Sequence, residues 1–322
     1  GEKVLLLNPG SQGLNIARAE IIIEKKRNTL ISKSISGALV NTSNCDIDSA
    51  FMAQFITAYD TIQKFSNSPV GTLTQTISTR DSYFGPSAFC DFINQLQLKI
   101  SGADISFTAP LFFDTEIKAG KIFLRDMFKL YKYENRLHTI LLTGKEIKGY
   151  LEHSYSLWTN QMQSPEDDLL LFDNQYTGIN KKLLYNSYNF DSAMGSKYTV
   201  DVTKPYGNKI NIISMSDGSS FDLDKTYKVA INSYRANGDD GMLIKGAGIS
   251  KEKIKDRIVK TSDNDLRFDI MQYIHQKGTI APECKNEWKF IPEEWVAPAI
   301  ERNRNDLFGN LSITNRPSIN VH

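Results

Sequence analysis

Between residues 86 and 278, short apolar runs alternate with stripes of helical period, and nothing repeats as a long βαβ unit. Such a chain is confined to mixed, largely local α and β structure, the α+β class. A helix is predicted from Pro86, a residue suited to a first helical turn, burying Phe89, Phe92, Ile93 and Leu96 and ending at Gly102. Ile105-Ser106-Phe107 reads as a strand, residues 125–130 as a short helix, 138–142 as a strand and 145–153 as a helix following Gly144. Residues 158–189 are polar and irregular, a long excursion. Strands resume at 198–202, 209–213 and 227–231. Ser262-Asp263-Asn264-Asp265 resembles a capping box, so a helix is expected from there to Ile274, closed by Gly278.

The two ends read differently. Val4-Leu5-Leu6-Leu7 before Asn8-Pro9-Gly10 predicts a buried strand, and Ile21-Ile22-Ile23 passing through Lys25-Lys26-Arg27-Asn28 to Leu30-Ile31 predicts a hairpin. Ile47, Phe51, Phe55, Tyr59, Ile62 and Phe65 recur at spacings of three and four, one stripe of an amphipathic helix stopped before Pro69. Residues 283–322, with Trp288 and Trp295 in a Pro-containing stretch, read as a tail laid over a surface. The chain opens Gly1-Glu2-Lys3-Val4 without Met and is read as cut from something longer.

At 322 residues the chain is long enough for about two domains. With 38 Lys plus Arg against 37 Asp plus Glu, the formal charge is +1, which argues against a partner held through many backbone phosphates. No run reaches the ~18 apolar residues of a membrane helix. Cys45, Cys90 and Cys284 form neither a disulfide framework nor a zinc spacing, and His138, His153, His275 and His322 are scattered. There is no Gly-x-Ser-x-Gly elbow, phosphate loop or His-Glu-x-x-His, and Gly246-Ala247-Gly248 lacks the third glycine of a dinucleotide cradle. No catalytic and no metal-ligating residue is assigned to this chain.

The informative segments are Leu130-Tyr131-Lys132-Tyr133-Glu134-Asn135-Arg136-Leu137, then Leu142-Thr143-Gly144-Lys145, then Asn232-Ser233-Tyr234-Arg235-Ala236-Asn237-Gly238-Asp239-Asp240-Gly241. Over residues 78–282 they resemble the C-terminal domain of the 5′-nucleotidase family, nearest the branch of 2′,3′-cyclic-nucleotide 2′-phosphodiesterase/3′-nucleotidases. The resemblance implies an α+β fold layered α/β/β/α with mixed sheets, in which two aromatic rings grip a nucleoside. By position, Tyr133 and Tyr234 resemble the stacking pair, Asn135 the polar group at the base edge and Asp240 the acid that bonds ribose hydroxyls. Gly195 resembles a glycine near the base, with Phe190 and Asp191 as further candidate lining. Many members carry Asn-Gly-Gly-Gly-Ile-Arg where this chain has Thr108-Ala109-Pro110-Leu111, which removes an arginine that Arg80 could replace.

The resemblance further implies that residues 1–44 are terminal strands of a preceding metallophosphatase domain and 45–77 a linker helix, with 78–282 as the nucleotide-recognition domain. Two divalent metal ions and the catalytic groups would then belong to that preceding domain, and no cofactor to this chain. The expected partners are a nucleotide or nucleoside and the metallophosphatase domain, with no nucleic acid polymer and no membrane span. Location in the periplasm or cell envelope is expected, and these residues alone should be inactive. A non-catalytic nucleotide- or surface-binding module is the alternative.

Overall fold

A computed structural model describes residues 4–10 and 12–309. The chain divides into two compact units, Gly1–Lys64 and Phe65–His322. In the first, β1 (Asn15–Lys26) and β2 (Thr29–Asn41) pair antiparallel, the hairpin expected from the isoleucine run. The strand expected at residues 4–7 is not formed. Leu5 and Leu7 instead lay their side chains over Gly37 of β2. The predicted amphipathic helix is α1 (Ser49–Ser66), and it buries none of its residues.

The second unit begins β3 (Pro69–Leu73), β4 (Ile77–Ser78), α2 (Ala88–Ser101), β5 (Ile105–Thr108), β6 (Glu116–Ile117), β7 (Gly120–Phe123), α3 (Leu124–Leu130), β8 (Arg136–Thr143) and α4 (Gly144–Trp158). After the irregular stretch follow β9 (Ser192–Met194), β10 (Ser196–Asp201), β11 (Ile210–Met215), β12 (Thr226–Asn232), α5 (Ser233–Ala236) and α6 (Lys251–Ile254). It continues with β13 (Ile258–Asp265), α7 (Leu266–Lys277), β14 (Thr279–Ile280), β15 (Trp288–Ile291) and α8 (Glu293–Phe308).

The central sheet is mixed and five-stranded, in the order β13-β8-β12-β5-β9. Its faces follow the period of two along β5. Phe107 stacks on Tyr150 of α4 with ring centroids 4.2 Å apart, while its neighbour Ser106 donates to Asn94 of α2 on the opposite face. The far side of α4 meets the three-stranded sheet β11-β10-β15, where the Tyr155 and Tyr198 hydroxyls are 3.0 Å apart. The class is α+β with mixed sheets, as expected, but the order α/β/β/α is not what forms: α4 lies between the five-stranded sheet and the three-stranded one, because its two apolar faces are covered by Phe107 on one side and Tyr198 on the other. Helix α4 is therefore nearly enclosed. Its start is a capping box, in which Thr143 Oγ1 accepts from the Glu146 amide and Glu146 Oε2 from the Thr143 amide. Its Glu152 carboxylate is buried but accepts from the amides of Gly207, Lys209 and Ile210, so no charge is left unsolvated.

Two expectations give way here. The capping run at Ser262 is strand: β13 continues to Asp265, Ser262 Oγ accepts from the Leu137 amide, and Asp265 caps α7 by accepting from Phe268. The stretch read as a tail contains core. β15 lies parallel to β10 with Tyr198 opposite Trp288, their rings stacked at 5.8 Å, and α8 sends buried Asn303 to the amides of Leu169 and Leu170. The aromatic spacing there fits a partner strand far away in sequence, which local periodicity does not register. Trp288→Ala should therefore cost about 3–5 kcal/mol in a urea titration, against under ~1 kcal/mol for a surface tail.

The same segment is tied to α2, because the Lys285 amide donates to Asp91 Oδ2 at 2.7 Å. Burial pushes the Asp91 carboxyl up to about 6. A folded-state value above the unfolded ~3.9 favours folding in acid and forfeits that advantage as pH rises from about 4 to 6. Asp91→Asn should remove a pH-dependent loss of about 3 kcal/mol across that window, seen as a flatter plot of melting temperature against pH.

Candidate functional site

Strands β8 and β12 run antiparallel with Asn232 opposite Leu137, so the residues just before β8 and just after β12 share one end of the sheet. That register brings Tyr133 and Asn135, from the loop after α3, beside Tyr234 in α5. Asn232 fixes the second of these segments: its Oδ1 caps α5 by accepting from the Arg235 amide at 2.9 Å, and its Nδ2 donates to the Tyr131 hydroxyl. The two segments are joined directly where the Ser233 hydroxyl donates to Asn135 Oδ1 at 3.2 Å. They enclose a cleft of about 250 Å³, lined also by Leu111, Tyr188, Asn232 and Arg235. Tyr133 is 39% and Tyr234 45% exposed, too open for core aromatics in a unit this well packed.

Beneath the cleft lies a buried ion cluster. Arg235 Nε and Nη2 donate to the two oxygens of Asp191 at 2.8 and 2.9 Å, a bidentate pair, and Nη1 donates to Asp240 Oδ2 at 2.7 Å. Nη2 also donates to the Tyr188 carbonyl, and the Tyr150 hydroxyl to Asp191. Burial opposes the charge on Arg235, but the Asp191 carboxylate outweighs it and keeps the guanidinium protonated. Burial raises the Asp240 carboxyl, and Arg235 holds that rise back. The guanidinium carbon lies 5.7 Å from the Tyr234 ring centroid, so the cluster also backs one of the tyrosines.

Of the seven residues singled out by sequence, Tyr133, Asn135 and Tyr234 meet in the cleft, and the other four lie elsewhere. Asp240 is turned inward, one oxygen on Arg235 and the other accepting from the Met242 amide, with its side chain 1% exposed. Asp191 is equally buried, in the same cluster. Phe190 is core, stacked on Trp158 with centroids 5.5 Å apart. Gly195 belongs to the opposite end of the sheet: a Cβ there would lie 2.1 Å from the Asp104 carbonyl, at a φ of 104°. Arg80 is bound through Nε and Nη2 to Asp114 rather than turned to the cleft. Arg235, Asn232 and Tyr188 were missed as lining residues. Arg235 and Asn232 sit inside the informative motif and were legible there as neighbours of Tyr234, whereas nothing local marks Tyr188.

The lining offers rings and amide donors and acceptors, which suits binding and orienting a flat heteroaromatic group, while the Arg235 charge is taken up by Asp191 and Asp240. Among the described residues no three His, Cys, Asp or Glu side chains are placed to hold a metal ion. No described helix is long and apolar enough to cross a membrane.

The sequence profile of the 5′-nucleotidase C-terminal domain matches residues 69–245. The chain is 32% identical over 191 residues to the trifunctional nucleotide phosphoesterase protein YfkN of Bacillus subtilis, covering 55% of this chain and 12% of that protein. It is 27% identical over 193 residues to a 2′,3′-cyclic-nucleotide 2′-phosphodiesterase/3′-nucleotidase of Haemophilus influenzae, covering 55% of this chain and 27% of that one. The chain thus spans about a quarter or less of these relatives. In fold it is similar to a Staphylococcus aureus protein assigned as a 5′-nucleotidase and solved with alpha-ketoglutarate, with a TM-score of 0.65 at 20% identity over 88% of this chain and 51% of that one.

The ion cluster and the cleft rim should respond oppositely to truncation. Arg235→Met strands two buried carboxylates and should cost about 3–5 kcal/mol of stability. Tyr234→Ala, at an open rim, should cost under ~1 kcal/mol by the same urea titration.

Proposed function

Because the chain belongs to the 5′-nucleotidase C-terminal domain family, we propose that its second unit recognises the nucleoside portion of a nucleotide. The observation that carries this reading is the pair of half-exposed tyrosines, Tyr133 and Tyr234, brought to one cleft with Asn135 by the β8–β12 register. A base between two rings gains stacking whatever its identity, and the Asn135 amide offers both a donor and an acceptor to its edge. Asp240 serves this site from below, through Arg235.

The protein to which this unit belongs is proposed to hydrolyse phosphate esters of nucleotides, consistent with relatives named as phosphoesterases and nucleotidases. The described residues do not fit a two-metal centre, so no hydrolytic step is assigned to them. The metals and catalytic groups are proposed to lie in a metallophosphatase domain outside this sequence, with β1 and β2, within residues 1–44, as strands of its sheet. The exposed Ile21, Ile22 and Ile23 of β1 support that assignment. Export to the periplasm or cell envelope completes the reading.

Titration calorimetry with adenosine tests it. Tyr133→Ala and Tyr234→Ala should each weaken binding about ten-fold or more, one decade being ~1.4 kcal/mol, whereas the Phe variants should change little because the ring makes the contact. Lost stability with unchanged affinity in both Ala variants would overturn the assignment.

A further inference from the structure

The loop between α3 and β8, residues 131–135, carries Tyr133 and is held from outside the cleft. Asp265, opposite Arg136 in the β13–β8 register, caps α7 by accepting from the Phe268 amide, so the first turn of α7 starts against this loop. In that turn the Leu266 amide donates to the Asn135 carbonyl at 2.8 Å. Next to it, Arg267 Nη1 donates to the Lys132 carbonyl at 3.1 Å and Nη2 to Glu134 Oε1 at 3.0 Å. One guanidinium therefore spans Tyr133, binding the residue before it and the residue after it. The Arg267 side chain is 14% exposed, and its guanidinium carbon lies 4.2 Å from the ring centroid of Phe128 on α3.

Arg267 does not line the cleft. An ion pair to an exposed glutamate contributes little by itself; the backbone carbonyl and the ring of Phe128 are what order this guanidinium, whose planar fork delivers two donors in fixed directions. We infer that Arg267 is a positioning residue of the nucleoside site, fixing the backbone on both sides of Tyr133 so that the ring is in place before a base arrives. This rests on the nucleoside reading of the cleft. Tyr133 is 39% exposed, so packing around its ring holds it only in part, and a side chain ordered beforehand removes an entropic cost from binding. Asn135 is held separately, through the Leu266 amide and the Ser233 hydroxyl, and Tyr234 is backed by Arg235. Loss of Arg267 should therefore fall on Tyr133.

Calorimetry with adenosine on this chain tests the assignment. Arg267→Met keeps an apolar chain beside Phe128 but removes both donors, and affinity should fall about five-fold or more. Arg267→Lys, which retains a charged donor, should recover part of that loss. On the Tyr133→Ala background Arg267→Met should cause no further loss, because its effect passes through that ring. Glu134→Ala, at a side chain 79% exposed, removes one of the two anchors. It should weaken adenosine by about two- to three-fold. Unchanged affinity in Arg267→Met, or a loss that persists in full without the Tyr133 ring, overturns the positioning role and leaves the nucleoside reading standing. Where Arg267→Met does not fold, unchanged affinity in Glu134→Ala is the overturning result. Failure of adenosine to bind the unaltered chain overturns the nucleoside reading and the positioning role with it.

Discussion

Arg235 carries a full charge into the interior, and the site is organised around satisfying it. An isolated guanidinium at that depth would cost several kcal/mol, so two carboxylates come with it, and each arrives on a different piece of chain. Asp191 immediately precedes β9, and Asp240 lies in the turn after α5. The Tyr188 carbonyl and the Tyr150 hydroxyl complete the shell, from the irregular stretch and from α4. Three segments, α4, the stretch from Tyr188 to Asp191 and α5 with its following turn, are thereby fixed beneath one cleft. The open tyrosines can be half exposed because the residues behind them are not.

Helix α4 has a comparable part in the core. With one sheet on either side, it has little solvent face on which to place a charge, and the one buried acid it carries, Glu152, is spent on the amides that lead into β11. Gly149 lets the π-helical turn Met242–Gly246 approach, since a Cβ would lie 2.3 Å from the Gly246 carbonyl. The loop that carries Asp240 is thus set by the same helix that presents Tyr150 to Asp191.

Much of this was readable in the residues, and the limits have physical causes. Helix α2, β5, β8 and β12 have apolar patterns that match their own period, and Ser87 and Gly102 punctuate α2 as its caps. The three cleft residues were legible through the resemblance of their motifs to a known domain and not through local periodicity, because Tyr133 and Tyr234 are far apart in sequence and meet only through the β8–β12 register. Asp240 shows where that ends. An acid in Asn-Gly-Asp-Asp-Gly looks like a solvent-facing turn residue until Arg235 is placed beside it, and the i to i+5 geometry of a four-residue helix running into a turn is not a pattern that periodicity carries. Gly195 was noticed as a glycine and put at the wrong end of the sheet, because its requirement for no side chain comes from the Asp104 carbonyl on another strand.

The parallel pairing of β15 with β10 has a kinetic side. Antiparallel neighbours such as β10 and β11 can zip from a turn, but a parallel strand whose partner lies so far upstream must close a very large loop first. During synthesis, Tyr198 and the apolar face of α4 are made long before Trp288 emerges to cover them. Until then the nascent second unit exposes an unpaired strand edge flanked by aromatic surface, the kind of intermediate on which chaperones act and from which aggregation starts.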